Sequence, residues 1–396
     1  MGNKQKSQTI KLKEKITDYK LYYKIQNKRC VTSFAILKDN KIMLTFKGGI
    51  LVIYEFIKIS EKNQNVKFIL KELIYSENDE YCFNYGIELK DGNLAICSED
   101  STINILKLVS NAKEMKRIDK NNDTNMIYNL KNIHKMNLGG DPLYIIKEFT
   151  NSELVVGSWN HIFIFIKLKK INKYELMSKL FIKDRTFSLI ELNKGEIISS
   201  QCYSKTLTLY EMNGHKFDVI KNIESNENPN IICKYNNQNK IVFVAYDKGI
   251  NIVSVIDKCI IGKFEINVIV SSICPFISHD KNKGNKELFT LLCGTKKRIY
   301  NSKVNYQYNL TQFLFDLQEE KKDNNISNSK DNEKNNNKNN PGYTLEGKDF
   351  IHYYDIIQIE NILFCKNNIF NNNRDEQIII TIGNEDKSMI FWRINK

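Results

Sequence analysis

The sequence predicts an all-β fold, a seven-bladed β-propeller with four antiparallel strands per blade, and three observations carry that reading. A hairpin-like segment recurs seven times, a short apolar stretch precedes most copies, and an alternating stretch follows them. The hairpin copies read IMLTFKGGILVIYEF (42–56), LAICSEDSTINILKL (94–108), LVVGSWNHIFIFIKL (154–168), IISSQCYSKTLTLYEM (197–212), IVFVAYDKGINIVSV (241–255), LLCGTKKRIYNSKV (291–304) and ITIGNEDKSMIFWRI (380–394). Alternation after the turn, as in Thr102-Ile103-Asn104-Ile105-Leu106, predicts a strand with Ile103 and Ile105 on one packed face and polar neighbours on the other.

The preceding stretches include SFAILKDN, FNYGIELKDG, PLYIIKEFTN, FSLIELNKG and NIICKYNNQN, each ending in a polar or Gly-containing turn. The following ones include VKFILKELI, YELMSKLF, FDVIKNI and CIIGKFEI, which completes four strands per unit. From Gly48 to Asp386 the six intervals average about 56 residues, more than the roughly 40–45 of short propeller repeats, so insertions are expected between strands. The sixth copy is irregular, with Tyr300 early after Lys296-Lys297, which leaves six or eight blades as alternatives. The last copy ends at its third strand; Tyr19 to Gln26, DYKLYYKIQ with the Asp before it, is expected to supply the missing outer strand and remove an open sheet edge.

The turn-and-strand core resembles the WD-repeat family, in which a turn carboxylate is followed by a strand ending in Trp-Asp. Asp100, Asn160, Asp247 and Asp386 stand at the turn position, Trp392 stands at the tryptophan position, and Tyr54-Glu55 and Tyr210-Glu211 stand where Trp-Asp would. The family's Gly-His pair is missing, Gly347-Lys348 being its nearest relic. In the family that His joins a polar network that locks each blade, so its loss implies blades held mostly by apolar packing. The resemblance also implies that the residue before each turn position projects onto one end of the ring. Those residues are Lys47, Glu99, Trp159, Tyr203, Tyr246, Lys296 and Glu385, and three consecutive copies thus present aromatics, a composition suited to interface anchors.

Composition bounds the rest. The chain is 41% apolar and 27% charged with 21 Phe and 20 Tyr, enough for a large core, while 17 Gly and 4 Pro fall below the usual share. The domain reading is a flexible basic N-terminus over 1–18, then a single propeller over 19–396 interrupted at 319–340. That interruption, EEKKDNNISNSKDNEKNNNKNN, holds a single apolar residue and is expected to be disordered. Shorter Asn- and Lys-rich pieces at 120–125, 279–286 and 367–373 are expected in connections.

The net charge of +13 raises nucleic acid or anionic lipid as partners, but the lysines are scattered and none is interleaved with aromatics in a base-stacking pattern. Lys11, Lys13, Lys15, Lys20 and Lys24, and Lys167, Lys169 and Lys170, are read as solvated surface. Nine cysteines without a C-x-x-C pair, and a start without an apolar leader segment, lead to the expectation of free thiols and a cytoplasmic location. Gly2 invites acylation, but Lys6 occupies the place where that motif wants Ser or Thr, and Ser7 is one residue late.

No metal-ligand spacing joins the histidines at 134, 161, 215, 279 and 352, and phosphate-cradling, dinucleotide and nucleophile-elbow glycine motifs are absent from the sequence. Glu99-Asp100 and Glu385-Asp386 could suggest a glycosidase pair, but they sit at the repeat's turn position. Arg185 and Arg298 stand alone, without the paired arginines of phosphoinositide-binding propellers. The expectation is therefore a non-catalytic scaffold without cofactor or metal, monomeric as a propeller, that captures a protein or peptide within a larger complex. A basic module touching anionic lipid or nucleic acid is the alternative, and a propeller hydrolase the remote one.

Overall fold

A computed structural model describes residues 11–12, 19–27, 29–38, 41–58, 68–76, 81–110, 128–168, 170–201, 203–213, 216–234, 241–265, 269–280, 286–300, 304–316, 343–344, 356–363, 377–383 and 388–394. They form seven antiparallel sheets, numbered here in chain order by their first strands: Val31–Leu37, Phe83–Glu88, Leu143–Glu148, Thr186–Glu191, Pro229–Lys234, Ile269–Asp280 and Ile356–Leu363. These first strands pack on one another in succession, and the last packs on Val31–Leu37, so they form an inner ring. The arrangement is an all-β propeller with antiparallel four-stranded blades.

Outward from the ring come the second strands Lys41–Phe46, Leu94–Ser98, Leu154–Ser158, Glu196–Gln201, Ile241–Tyr246, Lys286–Tyr300 and Gln377–Gly383. The third strands are Ile50–Lys58, Thr102–Ser110, His161–Leu168, Thr206–Asn213, Gly249–Ser254, Val304–Asp316 and Ser388–Ile394. In the first five sheets the chain supplies the outer strand in sequence, as Phe68–Ser76, Tyr128–Asn137, Lys173–Phe181, Lys216–Glu224 and Cys259–Glu265. In the sixth, Lys11–Leu12 and Tyr343–Thr344 both pair with Val304–Asp316. In the seventh, Tyr19–Gln26 pairs antiparallel with Ser388–Ile394, with Leu21 opposite Trp392. Lys11–Leu12 thus falls inside the segment expected to be flexible, and its pairing corrects that expectation at two residues. The stretches 120–125, 319–340 and 367–373, with Gly2, Gly347, Lys348, Glu385 and Asp386, lie outside the described residues.

Two expectations about strands change. His279 and Asp280 belong to a strand and pair with Glu287 and Lys286, so that connection is shorter than the composition implied. The second strand of the sixth sheet runs through Lys296-Lys297 to Tyr300, so Lys296 lies within a strand, opposite Ile269 and Tyr308, and not beside a turn. This accounts for the irregular sixth copy: pairing of its second and third strands runs on to Tyr300 and Val304, several residues beyond where it ends in the other copies.

From sheet one to sheet six the facing sides of adjacent blades pack on one another, and not against a single central core. Leu37, Met43, Leu51 and Ile53 of sheet one meet Phe83, Leu94, Ile96 and Leu106 of sheet two. Ile103 and Ile105 instead face Leu143, Val156 and Phe163 of sheet three. Equivalent clusters fill the gaps between sheets three and four, four and five, and five and six. Each buried Leu, Ile or Phe contributes about 1.5–3 kcal/mol. The polar side of the Thr102 strand is therefore not solvated as expected: Thr102, Asn104 and Leu106 are all buried. Asn104 survives there because the Asn132 amide donates to its Oδ1 at 2.9 Å.

Close approach of blades explains Gly157 on the second strand of sheet three. A Cβ there would lie 2.8 Å from Ile145 Cγ2 and 2.8 Å from both Cβ and Cγ2 of Thr186 in sheet four. At Gly86 the nearest atom is the Met43 methyl at 2.7 Å, the far end of a flexible side chain. Gly157→Ala is expected to cost about 1–3 kcal/mol in equilibrium urea unfolding, and Gly86→Ala clearly less. Deleting residues 1–26 should uncover the Ser388–Ile394 edge and lower Tm by at least about 5 °C in differential scanning calorimetry.

Candidate interaction face

The start of each inner strand pairs with the end of the second strand, so the turns leading into the third strands gather at one end of the ring. At that end each inner strand carries a one-residue register shift, which skips Thr32, Asn84, Tyr144, Phe187, Asn230, Ser271 and Ile357 in turn. A bulge bends a strand and re-aims the side chain it carries. In sheets three and four the bulge residues are aromatic.

Acidic residues two places ahead of the inner strands fasten this end. Asp184 is buried and accepts from the N–H groups of Tyr203 and Ser204, the latter at 2.7 Å, and from its neighbour Arg185 at 2.6 Å. Glu227 accepts from the Lys248 N–H at 2.9 Å in the turn of sheet five. Asp141 lies 3.0 Å from His161 Nδ1, and the His161 ring rests between Phe163 and Phe181, 5.6 Å from each centroid. His161 is thus held by an acid from the preceding connection and is more than a turn residue. The turn positions work locally: Asp100 accepts from Thr102 N and Oγ1 at 3.1 and 2.6 Å, and Asp247 accepts from the Asn230 amide at 3.2 Å. The Asn160 carbonyl accepts from Ile182 N at 2.8 Å. Tyr54 and Tyr210 are buried, and Tyr54 donates to Asn27 at 2.9 Å.

The opposite end is linked between neighbours. Glu88, Glu148 and Glu191, each closing an inner strand, accept from backbone N–H groups of Lys38, Lys90 and Thr150 in the preceding sheet at 2.7, 2.6 and 2.9 Å. Lys167, expected as free surface, lies 2.5 Å from Asp91 of sheet two. Burial works to raise the Asp91 carboxyl, but Lys167 and Asn93 hold it below its ordinary range. Blades without the family's His are therefore held by apolar packing together with carboxylates at both ends, which adds to the expectation of blades held mostly by apolar packing.

Of the residues expected on the face, Lys47, Glu99, Trp159 and Tyr203 are exposed on these turns. Lys47 N and Glu99 N occupy matching places, bonding the Cys30 and Cys82 carbonyls at 3.1 and 2.9 Å. Burial pushes the Cys82 thiol up, and both the Glu99 carboxylate and the Lys47 ammonium act on it. Tyr246 is different: it is 2% exposed and packs among Leu207, Val244 and Val253. Its register partner is Pro229, just as Ser98 pairs with Phe83 and Ser158 with Leu143. Asp247 follows the second strand directly, whereas Asp100 and Asn160 stand two places after theirs, so aligning on the acid slipped Tyr246 by one place, and a one-residue slip reverses the face. Tyr246 is a core residue, not a partner contact. Lys296 and Trp392 lie within strands, and Glu385 and Asp386 lie outside the described residues.

Three residues that composition and repeat alignment missed lie beside the exposed set, Phe187 exposed and Tyr144 and Arg185 half-buried. Tyr144 lies 6.3 Å from the Trp159 ring, and the Arg185 guanidinium carbon lies 3.6 Å from the Tyr144 centroid and 4.3 Å from that of Phe187. Burial pushes the Tyr144 phenol up while Arg185 pulls it down, and Glu99, Asp141 and Tyr203 are near enough to act on it. Trp159 is 39%, Phe187 37% and Tyr203 65% exposed, so the cluster offers aromatic surface to solvent across sheets three and four. A signal was available: Asp141, Asp184 and Glu227 recur at 43-residue intervals and mark where each inner strand begins. Among the described residues no group of His, Cys, Asp and Glu could hold a metal ion, and no helix is long and apolar enough to cross a membrane.

These features define a β-propeller with an aromatic and basic cluster at one end of its ring. Saccharomyces cerevisiae Sqt1 has a crystal structure with this fold: it superposes with a TM-score of 0.54 at 9% identity, over 96% of this chain and 98% of that one. No protein-family profile and no curated protein sequence matches the chain.

Asp184→Ala leaves three backbone donors without their acceptor and is expected to cost about 1–3 kcal/mol in urea unfolding, with Asp184→Asn losing less. Equal stability of both variants and the unaltered protein would show that solvent replaces the carboxylate without loss.

Proposed function

We propose that the chain is a seven-bladed, WD-repeat-type propeller closed by its N-terminal strand, and that it serves as a non-catalytic scaffold for a protein or peptide partner. One observation supports the binding reading above the others: Trp159, Tyr203 and Phe187 stay exposed beside Tyr144 and Arg185 on one end of the ring. Large aromatic rings at low conformational cost, with an arginine among them, are the composition of binding hot spots. The reading places the protein in the cytoplasm, as a single domain within a larger complex. The likeness to Sqt1 supports the fold alone.

The experiment is affinity capture of the full chain followed by mass spectrometry, with Trp159→Ala/Tyr203→Ala beside the unaltered protein. Both positions are exposed, so Tm should change by less than about 2 °C while the captured set is lost. An unchanged captured set would move the interface off this end of the ring.

A further inference from the structure

The Arg185 guanidinium is the feature of this face that internal bonding does not account for. Its Nε is shielded from solvent and has no hydrogen-bond partner among the described residues, and no ion pair reaches its side chain there. Two acids of this end have other partners: Asp184 accepts three backbone N–H groups and Asp141 holds His161. Two aromatic rings lie against the guanidinium and fix its plane. A guanidinium held this way loses little freedom when its remaining N–H edge meets a carboxylate, and a fork of parallel donors matches that group bidentately.

Resting on the scaffold reading above, we propose that this face recognises an acidic peptide: an extended segment whose Asp or Glu carboxylate pairs with Arg185 while its apolar neighbours lie on Trp159, Phe187 and Tyr203. Charge complementarity favours this occupant, because the chain's net +13 draws an acidic segment in from a distance and Arg185 is a cation on the face with no anion of its own among the described residues. The carboxylate also restores a partner to a half-buried charge, which is where a pair contributes most.

The test selects random dodecapeptides displayed on their own messenger RNA against the full-length protein. Arg185→Met, which keeps the apolar stem, and Arg185→Lys, which keeps the charge without the fork, are carried in parallel, all three with Tm checked. The expected result is enrichment of Asp or Glu at one position flanked by apolar residues, absent from the Arg185→Met selection. A synthetic peptide of that consensus should bind at least tenfold more weakly when its acid becomes Gln, when Arg185 becomes Met, and still when Arg185 becomes Lys. Selected peptides without acid enrichment, or with affinity indifferent to Arg185, would overturn the proposal and leave the scaffold reading intact. Recovery of no peptide at all would count against both. A phosphoserine peptide that binds tenfold tighter than its Glu counterpart would replace the acidic peptide by a phosphorylated one.

Discussion

Burial of both faces of the blades, shown by sheets two to five, is the constraint on which the rest of this structure depends. A sheet in a sandwich can leave one face to water, but here sheet two gives Ile96 and Leu106 to sheet one and Ile103 and Ile105 to sheet three. Polar side chains caught between blades must therefore find partners inside the protein, as Asn104 does with Asn132 and as Thr45 does with Ser33, 2.8 Å away. The same tightness sets Gly157 against Thr186, leaving no space for a methyl group where sheets three and four converge.

Lateral packing alone would leave the blade ends free to splay, and carboxylates address each end differently. Asp184 and Glu227 tie a connection to the turn of its own blade, so they fix the turn relative to the inner strand. Glu88, Glu148 and Glu191 tie each blade to the preceding one, so they fix spacing around the ring. A charge-assisted bond to a backbone N–H is about twice as strong as a neutral one. The acids thus occupy the positions where apolar packing thins out toward solvent.

The repeating unit was legible because period-two alternation and the order of stretches report directly on strand pairing, and every copy from 42–56 to 241–255 became a hairpin. The face was legible in part. Trp159 and Tyr203 emerged from aligning the turns, but an alignment anchored on the acid cannot detect that Asp247 stands one place earlier in its turn than Asp100 and Asn160 do in theirs, and the slip moved a core tyrosine onto the surface. Arg185, Tyr144 and Phe187 were invisible for another reason. Their proximity depends on bulges in two neighbouring inner strands, and a bulge leaves no trace in hydrophobic periodicity. Both-face burial was also hidden, since the sequence writes Thr102 and Asn104 as polar whether water or another amide satisfies them.

The same constraint explains why the exposed aromatics gather at sheets three and four. Bulges at the start of an inner strand turn one residue out of the packed interface, and what that residue becomes decides the character of the rim. In sheets one, two and five the residues are Thr32, Asn84 and Asn230, whose polar groups bond back into the ring: Thr32 to the Phe83 carbonyl, Asn84 to the Leu143 carbonyl and Asn230 to Asp247. Tyr144 and Phe187 make no such return bond and receive Arg185 instead. Arg185 in turn follows directly on Asp184, whose carboxylate oxygens are taken up by backbone donors and form no ion pair with the neighbouring side chain. The rim that bonds back on itself in sheets one, two and five is therefore open in sheets three and four, where aromatic bulge residues stand beside the turn residues Trp159 and Tyr203 and hold an arginine without an ion pair among the described residues.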